Sequence, residues 1–185
     1  MSSFSNAFAF LTETVLNLYL FVIILRFLLQ WSGVYSYNQV RQFTVKLTEP
    51  LLAPFRRHIP RFHQLDVALF LLLLAVELIK IFALYLFSDT VTFPSLARLL
   101  LWLVADIVNQ TVSVLFFSLL LMMLLTWVRP VGQNAIADAL YYLTEPMLRP
   151  LRRFIPLIAG FDITPIVAIL VLKFIQILLL QPLLY

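Results

Sequence analysis

Long apolar runs alternate with shorter polar segments along the chain. Residues 7–29 and 67–87 form two such runs, and residues 163–181 form another near the end. A helix rises about 1.5 Å per residue, so roughly 20 residues cross the roughly 30 Å of hydrocarbon in a bilayer. The pattern therefore predicts membrane-spanning helices in these three runs.

One polar block after the first run occurs twice. LTEPLLAPFRRHIP occupies residues 47–60 and LTEPMLRPLRRFIP occupies residues 143–156, with ten of the fourteen positions identical. Adding 96 to a residue number in the first copy also maps Trp31 onto Trp127, without a gap. Such self-similarity at a fixed offset indicates a tandem duplication. We assign residues 1–90 to the first repeat and residues 91–185 to the second.

The offset divides the longest apolar run, residues 96–128. This run is longer than one span requires and too short for two spans joined by a turn. Residues 7–29 map onto residues 103–125, which predicts a span at residues 103–127 preceded by a separate interfacial helix at residues 95–102. The predicted fold is an all-α integral membrane protein. Its four transmembrane helices form two hairpin repeats of parallel orientation.

A polar segment rich in Pro and Arg joins the two spans of each repeat. Val40, Phe43 and Leu47 recur at helical spacing, which predicts a short helix in the membrane interface. Pro50 and Pro54 are expected to break it, because proline lacks an N–H donor and fixes its own φ. The equivalent stripe in the second repeat consists of Ile136, Leu140 and Leu143.

The composition supports a membrane protein and excludes several kinds of site. The sequence is 63% hydrophobic and 12% charged, where soluble proteins carry about a quarter charged residues. The absence of Cys excludes disulfides and thiolate metal sites. His58 and His63 have no counterparts in the second repeat and are expected to be solvated. With no phosphate-binding loop and no Ser/His/Asp grouping, we predict no enzyme, metal or cofactor.

Basic residues cluster in the two connecting segments, which predicts the topology. Such clusters in short loops mark the cytoplasmic side of a membrane, and they do not indicate nucleic-acid binding. Both termini and the link around Asp89 are then expected outside. Residues 1–6 carry no Lys or Arg, so the first run is expected to remain as a span. The clusters are Arg41, Lys46, Arg56, Arg57 and Arg61, then Arg129, Arg149, Arg152 and Arg153.

Asp66 and Asp162 immediately precede the second span of each repeat. The first helical N–H groups have no partner within a helix, so we interpret both residues as N-terminal helix caps. Pro165 supports this interpretation, since proline is tolerated in a first turn. A catalytic aspartate is the alternative.

The paired arginines have two interpretations. As charges that set the topology, they need no further role. The second interpretation is a docking face for a partner protein or for anionic lipid headgroups, because topology alone does not require Pro at fixed positions. The candidate residues are Arg56, Arg57, Arg152, Arg153, Pro54 and Pro150.

Glu77 and Lys173 occupy equivalent positions in the two repeats, within apolar runs. Each charge alone in hydrocarbon is costly, so we predict that the two residues form an intramembrane ion pair, with Lys80 sharing the carboxylate. The alternative is that each uses a nearer polar group, such as Lys80 or Gln176. Arg26 is expected to snorkel at the inner end of the first span.

The doubled block resembles the YggT (YlmG) family of small membrane proteins of bacteria and plastids. The motif Arg26-x-x-x-x-Trp31 and the aspartates after both blocks also match, although Met122 replaces the arginine in the second repeat. The resemblance implies an accessory protein of the bacterial inner membrane, linked in different branches to cell division, osmotic tolerance or assembly of b-type cytochromes. We expect a scaffold or assembly factor; a small channel or transporter for ions or osmolytes is the alternative.

Overall fold

The computed structural model describes residues 3–58, 66–87, 95–128, 134–155 and 162–180. These residues form six α-helices and no strands, which confirms the all-α class. A π-helical turn, Gln176–Leu180, continues the last helix. The helices are α1 Ser3–Trp31, α2 Gln39–His58, α3 Val67–Phe87, α4 Leu96–Val128, α5 Ala135–Leu151 and α6 Thr164–Ile175.

Among the described residues, three helices are long and apolar enough to cross a membrane. They contain the segments Phe4–Trp31, Val67–Phe87 and Leu96–Leu125. The fourth apolar segment, Thr164–Leu178, is shorter. With its π-helical end, residues 164–180 reach about 25 Å at about 1.5 Å per residue.

The separate interfacial helix expected at residues 95–102 does not form, and that prediction is wrong. Residues 96–128 form one continuous helix, α4, and the N–H of Leu99 already bonds to the carbonyl of Ser95 at 2.9 Å. Residues 96–103 contain neither Pro nor Gly, so nothing in the sequence interrupts the hydrogen-bond ladder.

The expected break at the prolines is also wrong. α2 continues through Pro50 and Pro54, and α5 continues through Pro146 and Pro150. Each proline removes one N–H bond to the residue four before it. The two prolines of each helix are four apart, so both losses fall on one helix face. All four prolines are exposed, so this face is the outer one, where the freed carbonyls are not enclosed by protein.

The helices of each repeat pack according to the same plan. α2 packs against α1 and α3, and α5 packs against α4 and α6, while the two apolar helices of each repeat pack against one another. The larger hydrophobic core lies in the first repeat, around Leu20, Ile23, Leu69 and Leu72. A smaller core in the second repeat contains Val112, Leu119, Leu148, Ala168 and Leu172.

α2 and α5 lie beside each other and join the two repeats at one end of the molecule. The side chain of Asn38 caps α2 through the N–H of Val40, at 2.9 Å, and its amide donates to the carbonyl of Ala135 at 2.8 Å. Tyr35 contacts Tyr142 edge to face, with ring centroids 5.6 Å apart. The two Pro/Arg segments therefore belong to the same end of the protein.

The apolar stripes of α2 and α5 face different surroundings. On α2, Phe43 and Leu47 are exposed, while Thr44 and Thr48 point into the protein. On α5, Leu140 and Leu143 are buried and Ile136 is exposed. α2 thus presents its apolar stripe outward, whereas α5 buries most of its own stripe in the protein.

Gly33 ends α1 and directs the chain into α2. Its φ of 73° is left-handed, the N–H of Val34 bonds to Leu29 at 3.1 Å, and its own N–H bonds to Gln30 at 3.3 Å. These two bonds form a Schellman motif, and the buried Val34 and Leu29 provide its usual hydrophobic contact. Glycine suits this position because it has no Cβ to oppose a positive φ.

Candidate functional site

In the first repeat, a glutamate and an arginine of the doubled block form an ion-pair network with the aspartate that follows the block. Glu49 and Arg56 are seven residues apart on α2, so they share a helix face. Arg56 donates to Glu49 Oε1 at 2.6 Å and, with its other terminal nitrogen, to Asp66 Oδ2. The arginine therefore links α2 to the first turn of α3 across the chain segment between them.

Arg26 extends this network into α1. The residue is only 4% exposed. Its guanidinium donates to Thr48 Oγ1 and to Glu49 Oε2, the latter at 3.0 Å. Arg26 was expected to extend to the membrane surface, but its side chain is buried against α2 instead. The hydroxyl of Thr48 and the carboxylate of Glu49 accept its hydrogen bonds there.

The second repeat forms the same network without the buried arginine. Arg152 donates to Glu145 at 2.7 Å and to Asp162 at 2.9 Å. Met122 occupies the position equivalent to Arg26 and is buried. Thr144, equivalent to Thr48, bonds to the carbonyls of Leu140 and Tyr141 in its own helix and to no other described residue.

Asp66 and Asp162 each accept a backbone hydrogen bond from the start of the following helix. The acceptor is the carboxylate oxygen that does not bond to the arginine. The N–H of Leu69 donates to Asp66 at 3.3 Å, and the N–H of Thr164 donates to Asp162 at 2.9 Å. Burial disfavours the ionised form of Asp162, but the hydrogen bonds from Thr164 and Arg152 outweigh it and lower its pKa. Each aspartate thus serves the helix and the arginine together, although the residue at the N-cap position of α6 is Ile163 and not Asp162 as expected.

The two arginines of each pair have different surroundings. Burial alone disfavours the charge of Arg152, but its bonds to Asp162 and Glu145 prevail and raise its pKa. Arg57 and Arg153 are exposed, and within the described part of the chain neither forms an ion pair. The first arginine of each pair is therefore held by carboxylates, and the second is accessible.

A second polar cluster lies among the apolar helices α1, α3 and α4. Glu77 is fully buried and lies 2.8 Å from Lys80 on the same helix. Lys80 also pairs with Asp106 of α4 and donates to Asn17 of α1 at 3.2 Å. Gln110 donates to both Asn17 and Asp106, at 3.1 and 3.2 Å. The cluster connects α1 and α3 to α4 of the other repeat.

The expected pair between Glu77 and Lys173 does not form. Lys173 is exposed, donates to Gln176 at 2.7 Å and lies over the ring of Phe116. As far as the helices are described, α3 and α6 do not contact each other. Equivalent positions in the two repeats do not have to face each other. Here α4 lies against α3, and its Asp106 pairs with Lys80. Gln176 completes a separate set of bonds with Asn109 and Ser113, at 2.7 and 3.0 Å.

Comparison with known proteins agrees with the doubled architecture. The family model CCB3/YggT matches residues 5–87 and again residues 101–183, and each boundary of the second match lies 96 residues after that of the first. The chain belongs to the CCB3/YggT family.

Three similar proteins of the CCB3/YggT family are named as uncharacterized. The chain is 33% identical to an uncharacterized protein of Pseudomonas aeruginosa, covering 98% of this chain and 92% of the relative. It is 35% identical to the uncharacterized protein YggT of Escherichia coli K12, covering 90% and 86%. An uncharacterized protein of Vibrio alginolyticus from the proC 3′ region is 34% identical, covering 91% of each. No solved structure matches.

Sequence reasoning about this CCB3/YggT chain missed the roles of several participating residues. Glu49 and Glu145 were given no role, although each lies seven residues before an arginine in both copies of the block. That repeated helical spacing was the available signal. Asp106 and Asn17 gave no such signal, because their partners lie on other helices and no spacing along the chain connects them.

Proposed function

We propose that this protein is a non-enzymatic accessory protein of the bacterial inner membrane that acts as a scaffold or assembly factor. The supporting observation is that the two arginines of each pair have different contacts. Arg56 and Arg152 hold the connecting helices to the following spans, while Arg57 and Arg153 remain accessible on the outer surface. Arg57 lies on α2 and Arg153 on the turn after α5, and an exposed guanidinium in either place suits recognition of a carboxylate or phosphate on a partner.

The proposed contact surface consists of the exposed parts of α2 and α5 and of the turn that follows α5. The two helices lie beside each other, so the accessible arginines of both repeats belong to one end of the molecule. Pro54 and Pro150 are exposed on the same two helices and fix the local backbone without contributing a donor. Anionic lipid headgroups at this surface would add roughly 1 kcal/mol of attraction per basic residue. The partner we propose is a membrane protein whose acidic surface meets these arginines.

We propose four spans, both Pro/Arg segments facing the cytoplasm and both termini outside. Single cysteines at Ser95 and Phe154 test this orientation, because both positions are exposed. An impermeant thiol reagent added to intact spheroplasts is expected to label the Ser95→Cys protein and not the Phe154→Cys protein, since the basic segments favour the cytoplasm. Labelling at residue 154 without lysis would contradict the orientation.

Photocrosslinking in cells tests the docking surface. A photoreactive amino acid at Phe154, which is 82% exposed and follows Arg153, is expected to capture a discrete protein partner. Changing Arg153 to Lys keeps the charge but removes the planar fork, so we expect the yield of that adduct to fall about tenfold, the equivalent of about 1.4 kcal/mol. The adduct is measured by immunoblot and identified by mass spectrometry.

A probe at Phe82 is the matched control for this experiment. It is exposed on α3, within an apolar segment, and carries no neighbouring arginine pair. We expect it to capture lipid and not the protein adduct. Capture only of lipid at residue 154, or an adduct unchanged by Arg153→Lys, would contradict docking of a protein and leave topology as the role of these arginines.

A channel or transporter is the second candidate, and the polar cluster around Lys80 favours it. Charged residues within apolar helices often mark ion pathways. Against it, the cluster's polar groups bond to each other across three helices. Purified protein in liposomes is expected to give no ion or osmolyte flux above that of empty liposomes. Flux abolished by Lys80→Met would support the second candidate.

A further inference from the structure

The cluster around Lys80 contains one more acid than base. Glu77 and Lys80 lie on α3, and Asp106 lies on α4. Asn17 of α1 and Gln110 of α4 complete the cluster and carry no charge. With both carboxylates ionised, the two acids and one ammonium carry a net charge of −1.

Among the described residues, the helices packed against α3, which are α1, α2 and α4, provide no further cation to this cluster. Glu13 and Arg98 lie on the packed helices α1 and α4, but both are exposed. Arg26 of α1 is engaged by Thr48 and Glu49 of α2. An unbalanced charge in an apolar interior is strongly disfavoured, and the usual response is that the group neutralises.

The hydrogen bonds distinguish the two acids. Asp106 accepts from Lys80 and from Gln110, and its side chain is 22% exposed. Glu77 is fully buried, and neither of its oxygens meets hydrogen-bond geometry within the described residues, although one lies 2.8 Å from Lys80. A carboxylate is stabilised by donated hydrogen bonds, so Asp106 is the better anion and Glu77 the better neutral acid.

We propose that Glu77 is a proton-binding site inside the membrane-spanning part of the protein. The Glu77 carboxylate takes one proton from the aqueous phase and becomes a carboxylic acid, and the net charge of the cluster changes from −1 to zero. Lys80 then pairs with Asp106 alone. Release of the proton leaves two carboxylates competing for one ammonium.

This site is separate from the proposed docking surface and occurs once per chain. It joins the repeats, because Glu77 and Lys80 belong to the first and Asp106 and Gln110 to the second. The duplication gives no second acid pair of this kind, since the positions corresponding to Glu77 and Asp106 are Lys173 in the second repeat and Phe10 in the first. Proton binding at Glu77 therefore stabilises the contact between α3 and α4.

Infrared spectroscopy of the full-length protein in phosphatidylcholine vesicles tests the site. At neutral pH we expect the carbonyl-stretching band of one protonated carboxylic acid per chain. Glu77→Gln should remove this band and still give a monodisperse protein in wild-type yield, because an amide imitates the neutral acid in shape. Glu13→Gln is the matched control, since this acid is exposed on α1, and it should leave the band unchanged.

A second variant separates charge balance from burial. Asp106→Asn leaves one acid for one base, so Glu77 should ionise and the band should disappear although the residue is still present. Absence of the band in the wild type, its persistence in Glu77→Gln or Asp106→Asn, or failure of Glu77→Gln to fold would each overturn the proposal.

Discussion

Replacing Glu49 with Gln is expected to lower the free energy of unfolding by about 3 kcal/mol, the lower end of the cost of breaking a buried ion pair. The variant leaves Arg26, 4% exposed, with Thr48 as its acceptor, and takes one of two carboxylates from Arg56. The Glu49 side chain is itself 39% exposed, which places the effect at the lower end. Chemical denaturation in detergent micelles, followed by tryptophan fluorescence, measures the change.

The second repeat supplies the matched control for this variant. Glu145→Gln removes the equivalent carboxylate, but its partner Arg152 has a side chain that is 37% exposed and no buried arginine depends on it. We expect a loss of about 1 kcal/mol or less. Arg26→Met, which copies the residue at position 122, should also cost less than Glu49→Gln. Equal losses for Glu49→Gln and Glu145→Gln would show that burial of Arg26 is not the cause.

Replacing Lys80 with Met is expected to cost about 3–5 kcal/mol at neutral pH, because it leaves two acids inside the apolar helices without a cation. The acids can neutralise by taking protons, which is easier at low pH than at high pH. The deficit relative to wild type should therefore shrink in acidic buffer and grow in alkaline buffer. Thermal unfolding in micelles across this range measures it.

Lys173→Met is the control for the Lys80 variant. Lys173 is exposed and interacts with Gln176 and the ring of Phe116, so its loss should change the free energy of unfolding by about 0.5 kcal/mol or less. A Lys80→Met protein as stable as Lys173→Met at every pH would contradict a role for Lys80 in holding the acids. A deficit that does not vary with pH would instead indicate lost packing.

The positions of the helices could be predicted because they depend on local patterns. The apolar runs and the repeat offset placed α1 and α3, and they placed two amphipathic helices in the connecting segments. The predicted end of the connecting helix at Pro50 and Pro54 was wrong, because α2 continues through both prolines. Its exposed face tolerates the backbone hydrogen bonds that the prolines remove. The predicted helix boundary before residue 103 was also wrong. The repeat offset suggested a break there, but residues 96–128 form one continuous helix, α4.

Contacts between side chains on different helices could not be predicted. The repeat shows which positions are equivalent, but it does not show which helix each side chain faces. Glu77 and Lys173 are equivalent, but only α4 lies close enough to α3 to provide a partner. Glu49 with Arg56 was within reach of prediction, since both lie on one helix at a spacing that occurs twice. The contact of Asp106 with Lys80 required knowledge of how the two repeats pack.

The order of the cluster along the chain has a consequence for biosynthesis. Glu77 and Lys80 are three residues apart on one helix and lie 2.8 Å from each other, so they can leave the translocon as a neutral pair. Asp106 follows on the next helix, with its cationic partner already engaged. On insertion scales, moving an ionised aspartate at the centre of a helix from the translocon into the bilayer costs about 2.5–3.5 kcal/mol. α4 should therefore integrate more efficiently when α3 is already present beside the translocon than when it is synthesised alone.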